Sequence, residues 1–396
     1  MKLSRIGRAT LALVVSVAMG LGMTSCGGGT VGFMWVLGTQ YNQIGGFKID
    51  NFSGNLTGIV GSPVPSGGTD PIMLVTISGG RYLYVLNAGD STGQTGNVSL
   101  FSVGADGTLS YQQSYTSIQG TFPVWLTLDT AGKNLYVLAQ RSPAYDGKTD
   151  LNGSITVFPL DANTGRPSST PTTYLEVGAS PTRMANSATC LYTLDTGDQT
   201  VFPTSIDATS GQLTANPTFA LGTTNATSVN IGGNFVYVTD AGSTIGGPGS
   251  IVGFSQGSSC ALSAISGGNV ANLPTASNPI QTINTTDGKY VYVLNHSTLN
   301  TNYSNSTISA FTIGSNGVLT AITSDTNNPY SVGSGPACMA IDPTNQYIYT
   351  SDQFASTVTG KRLSNQYGYL ASLSKGSTFA TVGTPSCLTV SRNASY

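Results

Sequence analysis

Tyr290-Val291-Tyr292-Val293-Leu294 is one of seven short stretches that share an apolar pattern around a central aromatic residue. The other copies begin at Phe33, Tyr82, Asn134, Cys190, Phe235 and Tyr347, and their central residues are Trp35, Tyr84, Tyr136, Tyr192, Tyr237 and Tyr349. Valine and aromatic residues favour β-strands, and an unbroken apolar run of this length is typical of a strand buried on both faces. The seven stretches therefore predict seven equivalent buried strands.

Each aromatic strand lies inside a longer repeat. A proline-led apolar strand precedes it, at Pro71, Pro123, Pro181, Pro279, Pro336 and Pro385, with Ala226 in the same role once. A strand ending in phenylalanine follows it, at Phe47, Phe101, Phe158, Phe254 and Phe311, whereas Phe202 is out of register and Lys361 replaces the aromatic residue. The leading residues are 45 to 58 positions apart, the length of a four-stranded propeller blade.

The two ends of the chain complete each other. The chain opens on the aromatic strand at Phe33 without a proline strand before it, and it finishes on the proline strand Pro385–Val390 without an aromatic strand after it. Pairing the two would close the ring and remove its exposed edges. We therefore predict an all-β, seven-bladed propeller over residues 33–396, its last blade closed by the N- and C-terminal strands, with six or eight blades as alternatives.

The first 25 residues have the parts of a secretory signal peptide. Lys2, Arg5 and Arg8 precede an apolar run, Ala9 to Met23, that is shorter than the ~20 residues of a transmembrane helix. Met23-Thr24-Ser25-Cys26 resembles a bacterial lipobox, although Met23 departs from the usual leucine. The resemblance implies a signal peptide over residues 1–25, a lipidated Cys26, and a glycine-rich spacer over residues 26–32.

These features predict a cell-envelope protein whose membrane partner is reached through Cys26, on the periplasmic or outer surface. The alternative is cleavage near Ser25, which would release a secreted protein.

Charged residues make up only 8% of the chain, against about 25% in ordinary globular proteins. Removal of the signal peptide leaves 12 basic and 17 acidic residues, a net charge of about −5. A nucleic-acid partner needs a basic surface. This composition therefore argues against nucleic-acid binding.

The repeats resemble a known family. The proline-led strands, the aromatic-Val-Leu-Asn strands and the segment Phe311–Thr320 are similar to those of the lactonase-type seven-bladed propellers, which include 6-phosphogluconolactonases and muconate-lactonising enzymes. Tyr237-Val238-Thr239-Asp240 also resembles the Tyr-Val-Thr-Asn repeat of bacterial surface-layer propellers. The resemblance implies the fold and offers lactone hydrolysis as an activity, although fold alone does not carry function.

Two positions in each blade are expected near the channel. The residue after each aromatic strand includes Asp195 and Asp240, which either cap their own turns or surround the channel mouth. The residue two places after each proline includes Trp125 and Arg183.

His296 and Arg141 lie at neighbouring levels of the same rim. In a lactonase, His296 would act as the base on water and Arg183 would stabilise the oxyanion, with Arg141, Asp195, Asp240 and Trp125 binding the ligand. The alternative for His296 is a solvated loop residue.

Four cysteines remain after Cys26, an even number in an exported domain. Cys338 and Cys387 occupy equivalent positions in adjacent inner strands, and we hypothesise a disulfide there, with two buried thiols as the alternative. Cys190 and Cys260 form a weaker candidate pair. The loop with Asp146, Lys148, Asp150 and Asn152 is a poor match to a calcium loop. We predict neither a metal nor a cofactor.

Two functions fit these observations. The first is a binding or scaffold module at the envelope whose rim loops hold a glycan, a wall component or a protein. The second is a lactone hydrolase with His296 and Arg183 as its catalytic residues. The low charge and the long polar loops favour the first.

Overall fold

The computed structural model describes residues 29–77, 79–92, 95–171, 173–244, 247–275, 277–297 and 304–393. They form seven antiparallel sheets of four or five strands around a central channel. The lipobox and Cys26 lie outside the described residues.

The first sixteen strands are β1 (Thr30–Gly38), β2 (Gln43–Asp50), β3 (Leu56–Gly58), β4 (Val64–Pro65), β5 (Pro71–Thr76), β6 (Tyr82–Asn87), β7 (Asn97–Val103), β8 (Leu109–Tyr115), β9 (Thr121–Leu128), β10 (Asn134–Arg141), β11 (Gly153–Pro159), β12 (Thr173–Val177), β13 (Pro181–Asn186), β14 (Cys190–Asp195), β15 (Thr200–Ile206) and β16 (Leu213–Ala215). The others are β17 (Phe219–Ala220), β18 (Ala226–Gly232), β19 (Phe235–Asp240), β20 (Pro248–Gln256), β21 (Leu262–Thr275), β22 (Pro279–Asn284), β23 (Tyr290–Asn295), β24 (Thr307–Ile313), β25 (Leu319–Ala321), β26 (Tyr330–Ser331), β27 (Pro336–Ile341), β28 (Tyr347–Asp352), β29 (Thr357–Leu363), β30 (Leu370–Ser372), β31 (Thr378–Ala380) and β32 (Pro385–Arg392). Short 3₁₀ turns occur at Thr39–Tyr41 and Ser258–Cys260.

Blades 1 to 6 are β5–β8, β9–β12, β13–β17, β18–β21, β22–β26 and β27–β31, and blade 7 combines β1–β4 with β32. The proline-led strands are innermost, and each contacts the innermost strand of the next blade around a complete ring. In blade 7, β32 pairs with β1, so that Trp35 lies opposite Thr389. The predicted all-β, seven-bladed fold is confirmed. Strand β1 begins at Thr30, three residues before the expected start of the propeller.

The central aromatic residues join neighbouring blades. Each is almost completely buried, and six of them donate a hydrogen bond to a glycine carbonyl in the turn between the third and fourth strands of the next blade. The pairs are Trp35 Nε1 to Gly107, Tyr84 to Gly165, Tyr136 to Gly211, Tyr237 to Gly317, Tyr292 to Gly368 and Tyr349 to Gly54, at 2.6 to 3.3 Å. We call these the inter-blade hydrogen bonds. The seventh residue, Tyr192, donates instead to the Gln256 side chain at 3.3 Å.

Two disulfides also link blades. Cys338 is bonded to Cys387 across the inner strands of blades 6 and 7, the pairing that the repeat positions favour. Cys190 is bonded to Cys260 between blades 3 and 4, with their Cα atoms 5.6 Å apart. Both blade 7, which closes the ring, and the interface at which Tyr192 departs from the pattern therefore carry a covalent link.

None of the helical segments in the described part of the chain is long and apolar enough to span a bilayer.

Candidate functional site

The strand order divides the propeller into two faces. Pro71 lies opposite Asn87 and Pro181 opposite Asp195, so each inner strand starts where the aromatic strand ends. The face at which the aromatic strands end and the inner strands start is called the upper rim. The opposite face, called the lower face, holds the turns from inner to aromatic strand and from third to fourth strand. The upper rim is the one on which we predicted a site.

A cavity of about 250 Å³ opens into the channel between blades 2 and 5. Its walls come from the inner strands β9, β13, β18 and β22, and they include Trp125, Arg183, Ser228 and Gln281. These four residues occupy the position two places after the leading residue of the inner strand, which is a proline in three blades and Ala226 in blade 4, so this position faces the channel here.

Arg183 is the charged residue of this cavity. Its guanidinium carbon lies 4.8 Å from the centre of the Trp125 ring, a cation–π contact, and Nη1 donates to the Thr182 carbonyl at 3.1 Å. Burial lowers the pKa of Arg183. The ion pair found within the described residues joins Lys289 and Asp287, at 3.0 Å, and does not involve Arg183. Arg183 therefore carries a half-buried positive charge that has no ion-pair partner among the described residues.

The other polar groups around the cavity bond to one another. Ser228 and Thr282 lie 2.7 Å apart, Asn230 donates to Asn284 at 3.0 Å, and Gln281 bonds both the amide and the carbonyl of Met339. Such bonds connect adjacent inner strands. The guanidinium of Arg183 keeps further N–H donors beyond the one given to the Thr182 carbonyl.

Asp195 and Asp240 are buried in their own turns. The carboxylate of Asp195 accepts the backbone N–H groups of Ser180, Gly197 and Asp198. That of Asp240 accepts those of Thr224, Asn225 and Gly242. Neither side chain lines the cavity, because short Asp side chains satisfy the nearest free N–H groups of the turn. We assign both to turn capping, the first of the two alternatives considered for them.

Arg141 lies on the upper rim of blade 2, exposed, between two aromatic rings. Its guanidinium carbon is 4.2 Å from the centre of the Phe122 ring and 4.9 Å from that of Tyr145. Phe122 holds a φ of 57°, a conformation that bulky side chains rarely adopt. Arg141 is thus held at the rim and does not line the cavity.

His296 is half-buried on the upper rim of blade 5, its ring centre 6.2 Å from that of Phe354 in blade 6. Burial lowers its pKa. His296 does not line the Arg183 cavity. Of the residues expected to form one site, Arg183 and Trp125 lie together in the cavity. The others, Arg141, Asp195, Asp240 and His296, lie on the upper rims of four different blades and do not line it.

Asp352 is a buried carboxyl at the end of the aromatic strand of blade 6, and it was not among the predicted site residues. Burial raises its pKa to about 6, and hydrogen bonds from Thr359 (2.6 Å) and Thr350 (2.8 Å) partly oppose that shift. Its position after an aromatic strand was visible in the sequence. Its environment was not, because the partners Thr357 and Thr359 lie on the next strand.

A metal site is not indicated in the described ranges, where no three His, Cys, Asp or Glu side chains group together.

Residues 270–390 match the sequence model of the family described as "Lactonase, 7-bladed beta-propeller". A candidate 6-phosphogluconolactonase of Bacteroides fragilis is 20% identical and superposes with a TM-score of 0.69, over 91% of this chain and 98% of that one. The periplasmic gluconolactonase of Pseudomonas aeruginosa is 17% identical, with a TM-score of 0.66 over 91% and 98%. The fold is that of the lactonase-type propellers.

This lactonase-type fold also occurs with other chemistry. The hydrazine synthase of Kuenenia stuttgartiensis is 17% identical, with a TM-score of 0.55 over 84% of this chain and 98% of that one. No curated protein matches the sequence. At such identities a likeness describes the fold, and the function has to be argued from the cavity.

Proposed function

We propose that this lactonase-type propeller is an envelope binding protein that holds a small organic anion in the channel cavity. The observation that supports this is the half-buried guanidinium of Arg183, stacked on Trp125 with no ion-pair partner among the described residues. Taking a charge partly out of water without a counter-charge is costly. An anion entering the cavity would offset that cost and occupy the unused donors.

The chemistry of the cavity narrows the ligand. A guanidinium binds carboxylates and phosphates through two parallel N–H···O bonds. Trp125 gives the cavity an apolar wall that suits the C–H groups of a sugar or an aliphatic chain. At about 250 Å³ the cavity is a little smaller than pockets for drug-sized ligands, which run from ~300 Å³ upward. A hydroxylated carboxylate of sugar size fits these limits.

Calorimetric titration with D-gluconate, with glucose as the uncharged comparison, tests this proposal. Arg183→Gln should weaken gluconate binding by about 10- to 100-fold, since a hydrogen bond to a charged group contributes about 1.5–3 kcal/mol. Arg141→Gln, which removes the exposed arginine of the rim, is the matched control and should bind normally. Equal binding by the Arg183 variant, or glucose binding as tight as gluconate binding, would overturn the proposal.

Lactone hydrolysis is the second candidate. It is favoured by the family match over residues 270–390 and by the neighbour named as a gluconolactonase. Arg183 could stabilise a developing oxyanion. The base would have to come from elsewhere than His296, which does not line the cavity.

Turnover of a panel of sugar lactones, including 6-phosphogluconolactone, separates the two candidates. Turnover that disappears in Arg183→Gln would establish a hydrolase that uses the cavity. Hydrolysis at the buffer rate would leave the binding protein.

We also propose that Cys26 is acylated and holds the propeller at the membrane, with the upper-rim loops open to a glycan, a wall component or a protein. Cys26→Ser should abolish metabolic labelling with palmitate and release the chain from membranes. Release of the unaltered chain into the medium would instead support secretion.

A further inference from the structure

The described chain starts on the lower face. The Gly29 carbonyl accepts the Asn51 amide at 2.9 Å, and the Asn393 side chain donates to the Thr30 carbonyl at 3.1 Å. Strand β1 then runs from this face to the upper rim, where Gly38 lies opposite Pro385. The residue next to the N-terminal segment is therefore held at the lower edge of blade 7.

Covalent geometry limits how far this edge can lie from an acylated Cys26. Gly29 lies three residue steps after Cys26, and a fully extended chain covers ~3.6 Å per step, or ~11 Å in all. A domain attached so closely meets the bilayer with some part of its own surface. That part must lie around Gly29.

The turn beside Gly29 has an apolar tip. Phe52 is 78% exposed in the turn Asp50–Gly54 of blade 7. Turns of the same form in blades 2, 3 and 6 carry polar residues at the equivalent place, Asn163, Thr209 and Gln366. The backbone of this turn therefore does not require an aromatic residue, and exposure in water gives Phe52 no stabilising contact.

Two basic residues lie near this lower edge. Asn55 donates to the Gly376 carbonyl at 3.2 Å, which brings the exposed Lys375 next to the turn. The exposed Arg392 ends β32, the strand paired with β1, and its Nη2 donates to the Pro343 carbonyl at 3.1 Å. Two carboxylates also lie near this edge: Asp50, whose pKa is lowered by the Ser53 hydroxyl and, less strongly, by Lys375, and Asp342, next to the Pro343 carbonyl that accepts Arg392. Phe52, Lys375 and Arg392 together form what we call the lower-edge patch.

We propose that the lower-edge patch lies on the membrane that holds Cys26, with Phe52 in the interfacial layer and the upper rim facing away. Aromatic side chains favour the membrane interface, and Lys or Arg residues near an anionic surface are attracted to it. The patch is too small to hold the protein by itself. It orients a propeller that the acyl chains hold. This inference rests on the acylation of Cys26 proposed above.

Fluorescence quenching in lipid vesicles tests the orientation. The full-length acylated chain would be reconstituted in vesicles of three parts phosphatidylethanolamine to one part phosphatidylglycerol, with brominated acyl chains as the quencher. Phe52→Trp is compared with Phe354→Trp, a matched control 59% exposed on the upper rim. The native Trp35 and Trp125, buried and in the channel, contribute the same background to both.

Brominated lipid should quench Phe52→Trp at least about two-fold more strongly than Phe354→Trp. Equal quenching, or stronger quenching of Phe354→Trp, would overturn the orientation while leaving the anchor in place. A chain that does not float with vesicles would overturn the anchor and the orientation together. Neither result bears on gluconate binding at Arg183, which is measured without membranes.

Discussion

The interface between blades 5 and 6 and the interface between blades 3 and 4 make the same junction with different chemistry. Between blades 5 and 6, Tyr292 donates to the Gly368 carbonyl at 2.8 Å, and a methyl group at Gly368 would overlap the Tyr290 ring. Between blades 3 and 4, Cys190 stands at the position of Tyr290, and its sulfur is bonded to Cys260.

Cys260 occupies the position that glycine holds elsewhere. Its φ is 60°, against 81° for Gly317 at the same place in blade 5 and 73° for Gly368 in the blade 6 turn. A ring lying on a glycine and a disulfide thus serve the same position. The repeat therefore specifies a junction between blades rather than a particular residue, and a covalent bond can replace aromatic packing at that junction.

Among the variants considered, Tyr292→Ala should cause the largest loss in the free energy of unfolding. Loss of a fully buried ring costs about 3–5 kcal/mol, and the Gly368 carbonyl would also lose its donor. Urea unfolding measures the change. A loss below about 1 kcal/mol would contradict the importance of the inter-blade hydrogen bond and its ring.

Removing the disulfide with Cys190→Ser and Cys260→Ser should lower the free energy of unfolding by about 4 kcal/mol, since the bond closes a long loop of 70 residues. The pair Cys190→Phe with Cys260→Gly rebuilds the junction found at Phe235 and Gly317. This double variant should recover part of the lost free energy of unfolding, and reducing agents should not weaken its blade 3–4 interface. No recovery would mean that the two kinds of junction are not interchangeable.

The two interfaces also differ in a buried carboxyl at the upper rim. Asp352, in the blade 5–6 interface, accepts threonine hydroxyls and has its pKa raised by burial to about 6, from a usual 3.8. The folded state therefore binds a proton more tightly than the unfolded state, so stability should fall as pH rises from about 4 through about 6, by about 2 kcal/mol. Asp352→Asn should remove this dependence in unfolding measured across that range.

Asp240, in the blade 3–4 interface, supplies the control for that experiment. It accepts backbone N–H groups, so Asp240→Asn should destabilise the protein. An unchanged pH profile in Asp352→Asn would contradict the assignment.

The smallest expected difference concerns single hydroxyl groups. Tyr292→Phe should cost about 1 kcal/mol, because it leaves a buried carbonyl without its donor. Tyr192→Phe should cost less, since its partner is the longer 3.3 Å contact to the flexible Gln256 side chain. Thermal unfolding of the two variants side by side would show the order, and the reverse order would count against the inter-blade hydrogen bonds as the main junction.

The repeat predicted the architecture because strand periodicity and buried aromatic residues are local properties. Trp35 and Tyr349 identify a central strand wherever the chain places them, and the incomplete ends predicted the β1–β32 pairing. The candidate site was predicted only in part. Arg183 and Trp125 meet because they occupy the same position in adjacent blades. His296 was grouped with them by height on the rim, which does not determine which way a loop side chain points.

The amino-acid sequence was enough to predict the number of blades, the closure of the ring and the positions that face the channel, since each depends on the spacing of the repeat. Folding places Arg183 half-buried with no ion-pair partner among the described residues, and it gives the carboxylates of Asp195 and Asp240 to backbone N–H groups of their rim loops. Likewise, only the folded structure shows that Cys260 stands where other blades have a glycine and that it is bonded to Cys190. The Arg183–Trp125 contact and the Cys190–Cys260 bond join residues more than fifty positions apart, and the turn that holds each Asp depends on how the two rim loops meet, so a local sequence pattern records neither.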